Sequence, residues 1–231
     1  MEQALLFEFF GTALMLLLGL GVVANVILTK TKGNGGGWVV ITLAWGFAVF
    51  IGAFVAAPSG AHLNPCVTLG LAFAGKFSGN IIGYIIAQML GGMFGAMLVY
   101  FFYKPHFDAE ENPNLKLGVF CTAPEIRSYG YNFFSEFLAT FVLVMCILFA
   151  GQSQIAGPLP VGMVIMAIGM SLGGTTGYAM NPARDLSPRL MHFFLPIKGK
   201  RDSDWAYSWV PVFGPLAGGS LAGFIFSFFG M

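Results

Sequence analysis

The segment TTGYAMNPARDLSPR, residues 175–189, decides the fold, and a shorter segment, GAHLNPCVT at residues 60–68, repeats its central Asn-Pro. Asn followed by Pro is typical of a helix start, because the Asn side-chain oxygen accepts a hydrogen bond from a free backbone N–H and Pro suits the first helical position. The apolar run after Asn64 is roughly 11 residues long, which at about 1.5 Å per residue crosses only half of a ~30 Å hydrocarbon core. Non-helical backbone at that depth is tolerated only inside protein or beside water. Both segments are therefore predicted to be re-entrant half-helices whose preceding loops line a passage.

An Asn-Pro dipeptide also occurs in ordinary surface turns, and Asn112-Pro113 lies in a charged segment. The composition favours the membrane interpretation, since 57% of the residues are hydrophobic and only 9% are charged. A water-soluble domain does not carry that much apolar surface. The net charge of +1 gives no indication of a nucleic-acid partner, and Cys66, Cys121 and Cys146 have neither metal-ligand spacing nor the pattern of a disulfide framework. We expect an integral membrane protein in a lipid bilayer, without a metal or a cofactor.

Six apolar segments are long enough to be transmembrane helices. They cover residues 3–28, 38–58, 81–103, 132–150, 155–172 and 205–229. The first carries Glu8 and no basic start, which favours a retained helix over a cleaved signal peptide. The predicted fold is an all-α membrane protein with six transmembrane helices and two half-helices, in one transmembrane domain over residues 1–231.

The two halves of the chain, residues 1–103 and 131–231, repeat one another on either side of a polar loop at 104–130. The recurring motifs, in the same order, are EFFGT at 8–12 with EFLAT at 136–140, the two Asn-Pro boxes, and the Gly pairs at 91–92 and 218–219. Because each half crosses the membrane three times, the second copy enters from the opposite side and the repeats are inverted. The N-termini of the half-helices are then predicted to meet near the midplane.

Two opposed helix N-termini concentrate positive potential at their meeting point, which repels cations and hydronium. The side-chain amides of Asn64 and Asn181 are free to donate to a water or hydroxyl oxygen there, which interrupts a continuous proton relay while neutral molecules pass. Unpaired carbonyls would be costly in lipid, so those in the non-helical loops are expected to form a row of acceptors along the passage. These pore-lining carbonyls belong to Gly60, Ala61, His62, Leu63, Gly177 and Ala179.

Three charged residues within the membrane need an explanation, since intramembrane charges are costly and usually functional. Arg184 follows Asn181 by three residues and so projects from the same helix face toward the pore, unless it is a cation at the outer rim. Glu8 and Glu136 occupy one position in each repeat, where they either accept backbone N–H bonds from the two loops or form a proton-transfer pair. Their repetition favours the role of loop support, because a relay needs no copy in each half.

The sequence resembles the major intrinsic proteins over nearly the whole chain. The motifs that carry the resemblance are the two Asn-Pro boxes, the string NPARD at 181–185, the string SGAHLN at 59–64 and the repeated glutamate. The residues that resemble the glycerol-conducting branch, the aquaglyceroporins, are Trp45, Asp185, Arg189 and the Pro215-Leu216 pair. The resemblance implies an aquaporin-like fold and a passive channel that conducts water, glycerol and small polyols but excludes protons and ions. It further implies a homotetramer that crosses the cell membrane several times and is not an enzyme.

Within that family a constriction above the Asn pair selects the permeants. The resemblance assigns it to Trp45, Gly169, Tyr178 and Arg184, and assigns loop support to Glu8, Glu136 and Asp185. Cys66 departs from the family pattern, which has Ala, and Tyr178 departs from the Phe common in the glycerol branch. The thiol of Cys66 lies either at the pore centre or against a neighbouring helix.

The charge distribution also departs from the family. With the N-terminus in the cytoplasm, only Lys76 of the eleven Lys and Arg residues lies on the inner side, whereas the positive-inside rule favours the opposite orientation. The alternative functions are a water-selective aquaporin and an ion-coupled secondary transporter that uses Glu8 and Glu136. An intramembrane enzyme would have to use Cys66 with His62, a pair that lacks an orienting acid.

Overall fold

The computed structural model describes residues 2–150 and 157–230. These ranges contain helices and no strands. The α-helices are α1 (Glu2–Ile27), α2 (Gly37–Val55), α3 (Pro65–Phe73), α4 (Ile81–Phe102), α5 (Lys104–Ala109), α6 (Pro113–Phe120), α7 (Tyr129–Ala150), α8 (Leu159–Leu172), α9 (Pro182–Phe194) and α10 (Val210–Phe228), and a 3-10 turn covers Ala57–Ser59. The predicted all-α class is confirmed.

Five helices in the described part are long and apolar enough to cross a membrane: α1, α2, α4, α7 and α10. Helix α8 is apolar but has only 14 residues. The first two residues of the predicted span 155–172, residues 155 and 156, lie outside the described ones. Helix α8 covers most of residues 157–172. The last helix begins at Val210 and not at 205, because residues 205–209 form turns. The chain is a multi-pass membrane protein.

The two Asn-Pro boxes begin α3 and α9. Asn64 and Asn181 are both extended, with φ of −156° and −158°, and the side-chain oxygen of each accepts a backbone N–H two residues on, at 2.8 Å from Cys66 and 2.9 Å from Ala183. Pro follows at the first helical position in both. With 9 and 13 residues, α3 and α9 rise only about 14 and 20 Å.

Recurring glycines bring the helices together in the same way in both halves. A Cβ placed at Gly91 would lie 2.3 Å from the Phe9 carbonyl oxygen, and one at Gly218 would lie 2.1 Å from that of Phe137. The Glu-Phe motif and the Gly pair that repeat in the sequence are therefore packed against each other within each repeat. Such close backbone approach is available only to glycine.

Each half-helix packs on the last helix of the other half: α3 on α10 and α9 on α4. A Cβ at Gly92 would lie 2.7 Å from the Ala183 carbonyl oxygen, and one at Gly219 would lie 2.8 Å from that of Cys66. These crossed contacts fix the two Asn caps relative to one another.

The segment 104–130 is not the simple polar loop that was predicted, since it contains α5 and α6. Asn112 caps α6 by accepting the N–H of Asn114 at 2.9 Å. Leu117 and Phe120 are buried in the main core, and even Lys116 is only 2% exposed, with its ammonium group bonded to the carbonyl of Lys198. Sequence reasoning missed this because the apolar face of α6 is short and flanked by charges.

Candidate permeation pathway

A cavity of about 320 Å³ runs between the two halves. One wall consists of residues from the two loops that precede α3 and α9. The other wall is the set of apolar lining side chains, which come mostly from the transmembrane helices. Its side chains include those of Met15, Val49, Ala53, Leu143, Ile147 and Ile165. The lining of the cavity therefore combines a wall of loop residues with a wall of apolar side chains.

Asn64 and Asn181 both line this cavity and are joined to each other's loops. The Asn64 amide donates to the carbonyl of Met180 at 2.8 Å, and the Asn181 amide donates to the carbonyl of Leu63 at 2.9 Å. One N–H of each amide is thus used to connect the loops. The other N–H remains for the donation to a water or hydroxyl oxygen that the sequence analysis predicts.

Glu8 is fully buried and holds the first loop. Its Oε1 accepts the Ser59 hydroxyl at 2.7 Å and the His62 N–H at 2.9 Å. Its Oε2 accepts the Leu63 N–H and the Gln88 amide, both at 2.8 Å. All four donors come from residues far along the chain, so the carboxylate fixes the loop against α1 and α4.

Glu136, also fully buried, does the same for the second loop. Its Oε1 accepts the Thr176 hydroxyl at 2.6 Å and the Ala179 N–H at 3.0 Å, and its Oε2 accepts the Met180 N–H at 2.8 Å. Ser59 and Thr176, which the sequence analysis did not single out, have equivalent places in the two repeats. The signal that could have found them is a hydroxyl residue five positions before each Asn.

The loop backbone turns its carbonyls away from the glutamates. Among the described residues every peptide bond is trans, so each carbonyl points opposite to the N–H of the next residue. Since the N–H groups of His62 and Leu63 point at Glu8, the carbonyls of Ala61 and His62 point to the other side, as do those of Tyr178 and Ala179 in the second loop by the same argument. The cavity is lined by Gly60, Ala61, His62, Leu63, Tyr178 and Ala179.

This arrangement requires left-handed backbone at non-glycine residues. In the first loop Ala61 and Leu63 have φ of 53° and 54°, and in the second Tyr178 and Met180 have φ of 40° and 50°. Such conformations cost on the order of 1–3 kcal/mol each and persist only where the surroundings enforce them. The bonds to the two glutamates supply that constraint. Gly177, with φ of 81°, is not among the described residues that line the cavity.

Three of the four predicted constriction residues line the cavity, and the fourth, Gly169, lies behind the Tyr178 ring. The three are Trp45, Tyr178 and Arg184, and the guanidinium carbon of Arg184 lies 4.3 Å from the centre of the Trp45 ring. Arg184 is 9% exposed, so it faces the cavity and not the outer rim. Nη1 of Arg184 and the Tyr178 hydroxyl have no hydrogen-bond partner within the described part of the chain. Gly169 makes room for the Tyr178 ring, since a Cβ there would lie 2.7 Å from Cζ of that ring.

Behind Arg184, Asp185 and Arg189 form a buried ion pair. Oδ1 of Asp185 accepts hydrogen bonds from Nε–H and Nη2–H of Arg189 at 2.9 and 2.7 Å, and Oδ2 accepts from the N–H and the hydroxyl of Thr122. Arg189 also donates to the carbonyls of Ser203 and Asp204. The pair thus joins α9 to the segments before α7 and before α10.

Other polar residues near the first loop were not foreseen. Thr68 accepts from Gln88 at 3.0 Å, lies 3.0 Å from Nδ1 of His62, and stands at the position in the first box that Asp185 has in the second. Gln88 could have been found from the sequence, because it is a lone amide in an apolar span and an amide there needs hydrogen-bond partners. Cys66 is fully buried against α10, where a Cβ at Gly219 would lie 3.1 Å from its own, and it is not among the described lining residues.

The fold and this pathway define a class of membrane protein. Residues 1–226 match the family described as Major intrinsic protein, and the chain belongs to that family. It is 52% identical over 225 residues to a probable glycerol uptake facilitator protein of Thermotoga maritima, covering 95% of this chain and 96% of the relative. It is 51% identical over 235 residues to a glycerol uptake facilitator protein of Streptococcus pneumoniae, covering 99% and 100%.

A solved structure agrees with these sequence relatives. The X-ray structure of the aquaglyceroporin from Plasmodium falciparum matches with a TM-score of 0.85 at 34% identity, covering 96% of this chain and 93% of that one. The resemblance to the major intrinsic proteins and the aquaporin-like fold are confirmed.

Proposed function

We propose that this protein is a passive channel for glycerol, other small neutral solutes and water, and that it excludes protons and ions. The observation that carries the proposal is the pair of Asn caps, Asn64 and Asn181, which meet in a cavity with one polar and one apolar wall. The relatives named as glycerol uptake facilitators and the aquaglyceroporin structure support the same permeant.

The two walls suit a polyol. Glycerol has hydroxyl groups along one edge and C–H groups along the other. The carbonyls of Ala61, His62, Tyr178 and Ala179 can accept from the hydroxyls, while the apolar wall contacts the carbons. Arg184 supplies donors to the hydroxyl oxygens at the constriction, where the loops provide acceptors.

Proton exclusion follows from the Asn pair. The remaining N–H of each amide donates to the oxygen of a water at the centre, which turns the hydrogens of that water outward and interrupts a hydrogen-bonded relay. The N-termini of α3 and α9 add positive potential at the same place, equivalent to about half a charge each. Both effects act on charge and leave a neutral solute free to pass.

An ion-coupled transporter is the less favoured alternative. It would need Glu8 or Glu136 to exchange protons or bind an ion during transport. Both carboxylates are fully buried, bind several donors and hold left-handed loop residues in place. Loop support by these residues and by Asp185 is the role that the geometry favours.

We extend the proposal to the setting of the channel. A homotetramer in the cell membrane, with no enzymatic activity, fits the family. The apolar outer faces of α1, α2, α4, α7 and α10 provide surface for lipid or for neighbouring subunits. A water-selective channel is the second candidate, favoured only by the added hydroxyl of Tyr178, which narrows the constriction relative to Phe.

Stopped-flow light scattering on proteoliposomes tests the proposal. Water, glycerol, erythritol and xylitol are compared at one protein density, with protein-free vesicles as the control. We expect water and glycerol to equilibrate faster than in the control, and the larger polyols to be slower. Acceleration of water alone would favour the water-selective candidate and contradict the glycerol assignment.

A further inference from the structure

Trp38, at the start of α2, supports the end of α8. Its indole Nε1–H donates to the carbonyl of Gly169 at 3.0 Å. Helix α8 ends at Leu172, so the Gly169 carbonyl is one of the last four, which have no partner inside the helix. The indole supplies that partner from another helix, and it does so at the residue over which the Tyr178 ring lies.

The Tyr178 ring occupies a slot formed by α8 and Trp38. A Cβ at Gly169 would lie 2.7 Å from Cζ of the ring, and one at Gly173 would lie 2.5 Å from Cδ1 of the ring and 2.8 Å from Cζ2 of Trp38. The rings of Trp38 and Tyr178 meet edge to face, with centres 5.7 Å apart and planes at 79°. Trp38 therefore contacts both the ring of Tyr178 and the backbone on which that ring rests.

Tyr178 also lines the cavity, together with Trp45 and Arg184, the other residues of the proposed constriction. The described lining residues do not include Trp38. The Tyr178 hydroxyl has no hydrogen-bond partner among residues 2–150 and 157–230, so the ring is held mainly by packing. The position of the ring is thus set by the slot and not by a hydrogen bond of its own.

We propose that Trp38 is a positioning residue that fixes the Tyr178 ring and, through it, the largest polyol that the channel admits. The inference rests on the proposed function of a glycerol channel and adds a residue that determines its specificity. Loss of the indole frees the ring to move toward α2 and away from Arg184, which widens the constriction. Four- and five-carbon polyols should gain most, because glycerol already passes.

The test compares Trp38→Phe and Trp38→Ala with Trp209→Phe. Trp209 is a matched control, because it is exposed to the same extent as Trp38, 40%, but stacks on Tyr129 and Phe133. The readout is the erythritol-to-glycerol permeability ratio in proteoliposomes, which does not depend on the amount of folded protein. We expect the ratio to rise in both Trp38 variants by roughly two- to tenfold, the range that corresponds to losing one hydrogen bond of ordinary strength. The ratio in Trp209→Phe should equal that of the wild type.

A double-mutant cycle separates positioning from a general structural effect. In a Tyr178→Ala background, Trp38→Ala should change the ratio no further, because the ring through which it acts is gone. Gly169→Ala should lower the permeability ratio, since the added methyl pushes the Tyr178 ring into the cavity. Gly174→Ala is the control and should leave the ratio unchanged, because no heavy atom of the described residues lies within 4 Å of a Cβ at Gly174.

The outcomes are distinct. A glycerol-permeable wild type whose ratio is the same in both Trp38 variants would overturn the inference alone. The inference would also be overturned if Trp38→Ala changed the ratio in the Tyr178→Ala background as much as in the wild type, because Trp38 would then act without Tyr178. Wild-type vesicles that are no more permeable to glycerol than protein-free ones would contradict the proposed function itself.

Discussion

Asn64 and Asn181 are joined reciprocally through the two loops: each side-chain amide donates to the carbonyl of the residue that precedes the other Asn, Met180 at 2.8 Å and Leu63 at 2.9 Å. The same residues cap α3 and α9 with their side-chain oxygens. Each Asn therefore fixes its own helix and the opposite loop, and it keeps one N–H for a molecule in the cavity.

Replacing Glu136 by Gln should destabilise the second loop. The Gln side chain presents an NH₂ group where the carboxylate accepts from Thr176, Ala179 and Met180. A buried N–H left without an acceptor costs about 1–3 kcal/mol, and the left-handed residues of the loop lose part of their constraint. We expect a lower melting temperature in detergent and a reduced glycerol flux per folded channel.

Glu125→Gln is the matched control, because Glu125 is exposed and the substitution removes the same charge. It should melt and conduct like the wild type. If Glu136→Gln keeps the wild-type melting temperature and flux, the carboxylate does not support the loop.

The buried pair of Asp185 and Arg189 should contribute strongly to stability. Arg189→Met leaves Asp185 without its charged partner in a fully buried place, and breaking a buried pair in this way costs about 3–5 kcal/mol. Arg201→Met, which removes an exposed partner of Asp202, should have little effect because exposed ion pairs contribute little. Thermal melts of both variants in the same detergent make the comparison, and equal melting temperatures would show that the buried pair has no such role.

The local elements of this fold could be predicted from the sequence, and the contacts between distant ones could not. The caps at Asn64 and Asn181 depend on two adjacent residues, and the repeated Glu-Phe motif pointed to Glu8 and Glu136. The reciprocal Asn bonds join loops more than a hundred residues apart, and the slot for Tyr178 combines α2 with α8. No spacing along the chain indicates such contacts. Helix α6 was missed because its short apolar face is buried by α1 and α9, and α5 was missed because it packs on α4.

Tyr178→Phe should raise the glycerol-to-water permeability ratio. The hydroxyl is buried, has no partner within the described part of the chain and belongs to a residue that lines the cavity, so its removal takes a polar atom from the constriction. The expected change is less than about tenfold, since one neutral hydrogen bond is worth about 0.5–1.5 kcal/mol. Stopped-flow measurements of both permeants in the same vesicles give the ratio. Tyr131→Phe, at an exposed site, is the control, and an unchanged ratio in Tyr178→Phe would mean that the hydroxyl plays no part in selection.

Mercurials should not block the pore through Cys66. Cys66 is fully buried against α10, and Cys121 is buried in the segment between the halves, where burial raises the pKa of its thiol to about 12. A protonated, inaccessible thiol reacts slowly. We expect the same glycerol flux with and without a small mercurial in the wild type and in Cys66→Ala. Inhibition that appears in the wild type and disappears in Cys66→Ala would place that thiol in the pathway.

The central claim is that the opposed Asn caps pass neutral solutes and stop protons. The most direct measurement records glycerol entry by light scattering and proton leak by an entrapped pH-sensitive dye in one preparation of proteoliposomes. The account predicts a glycerol flux that rises linearly with the glycerol gradient and is unchanged by an imposed ion gradient, together with a proton leak equal to that of protein-free vesicles. A glycerol flux that saturates and requires an ion gradient, or a pH gradient that the protein dissipates, would contradict it.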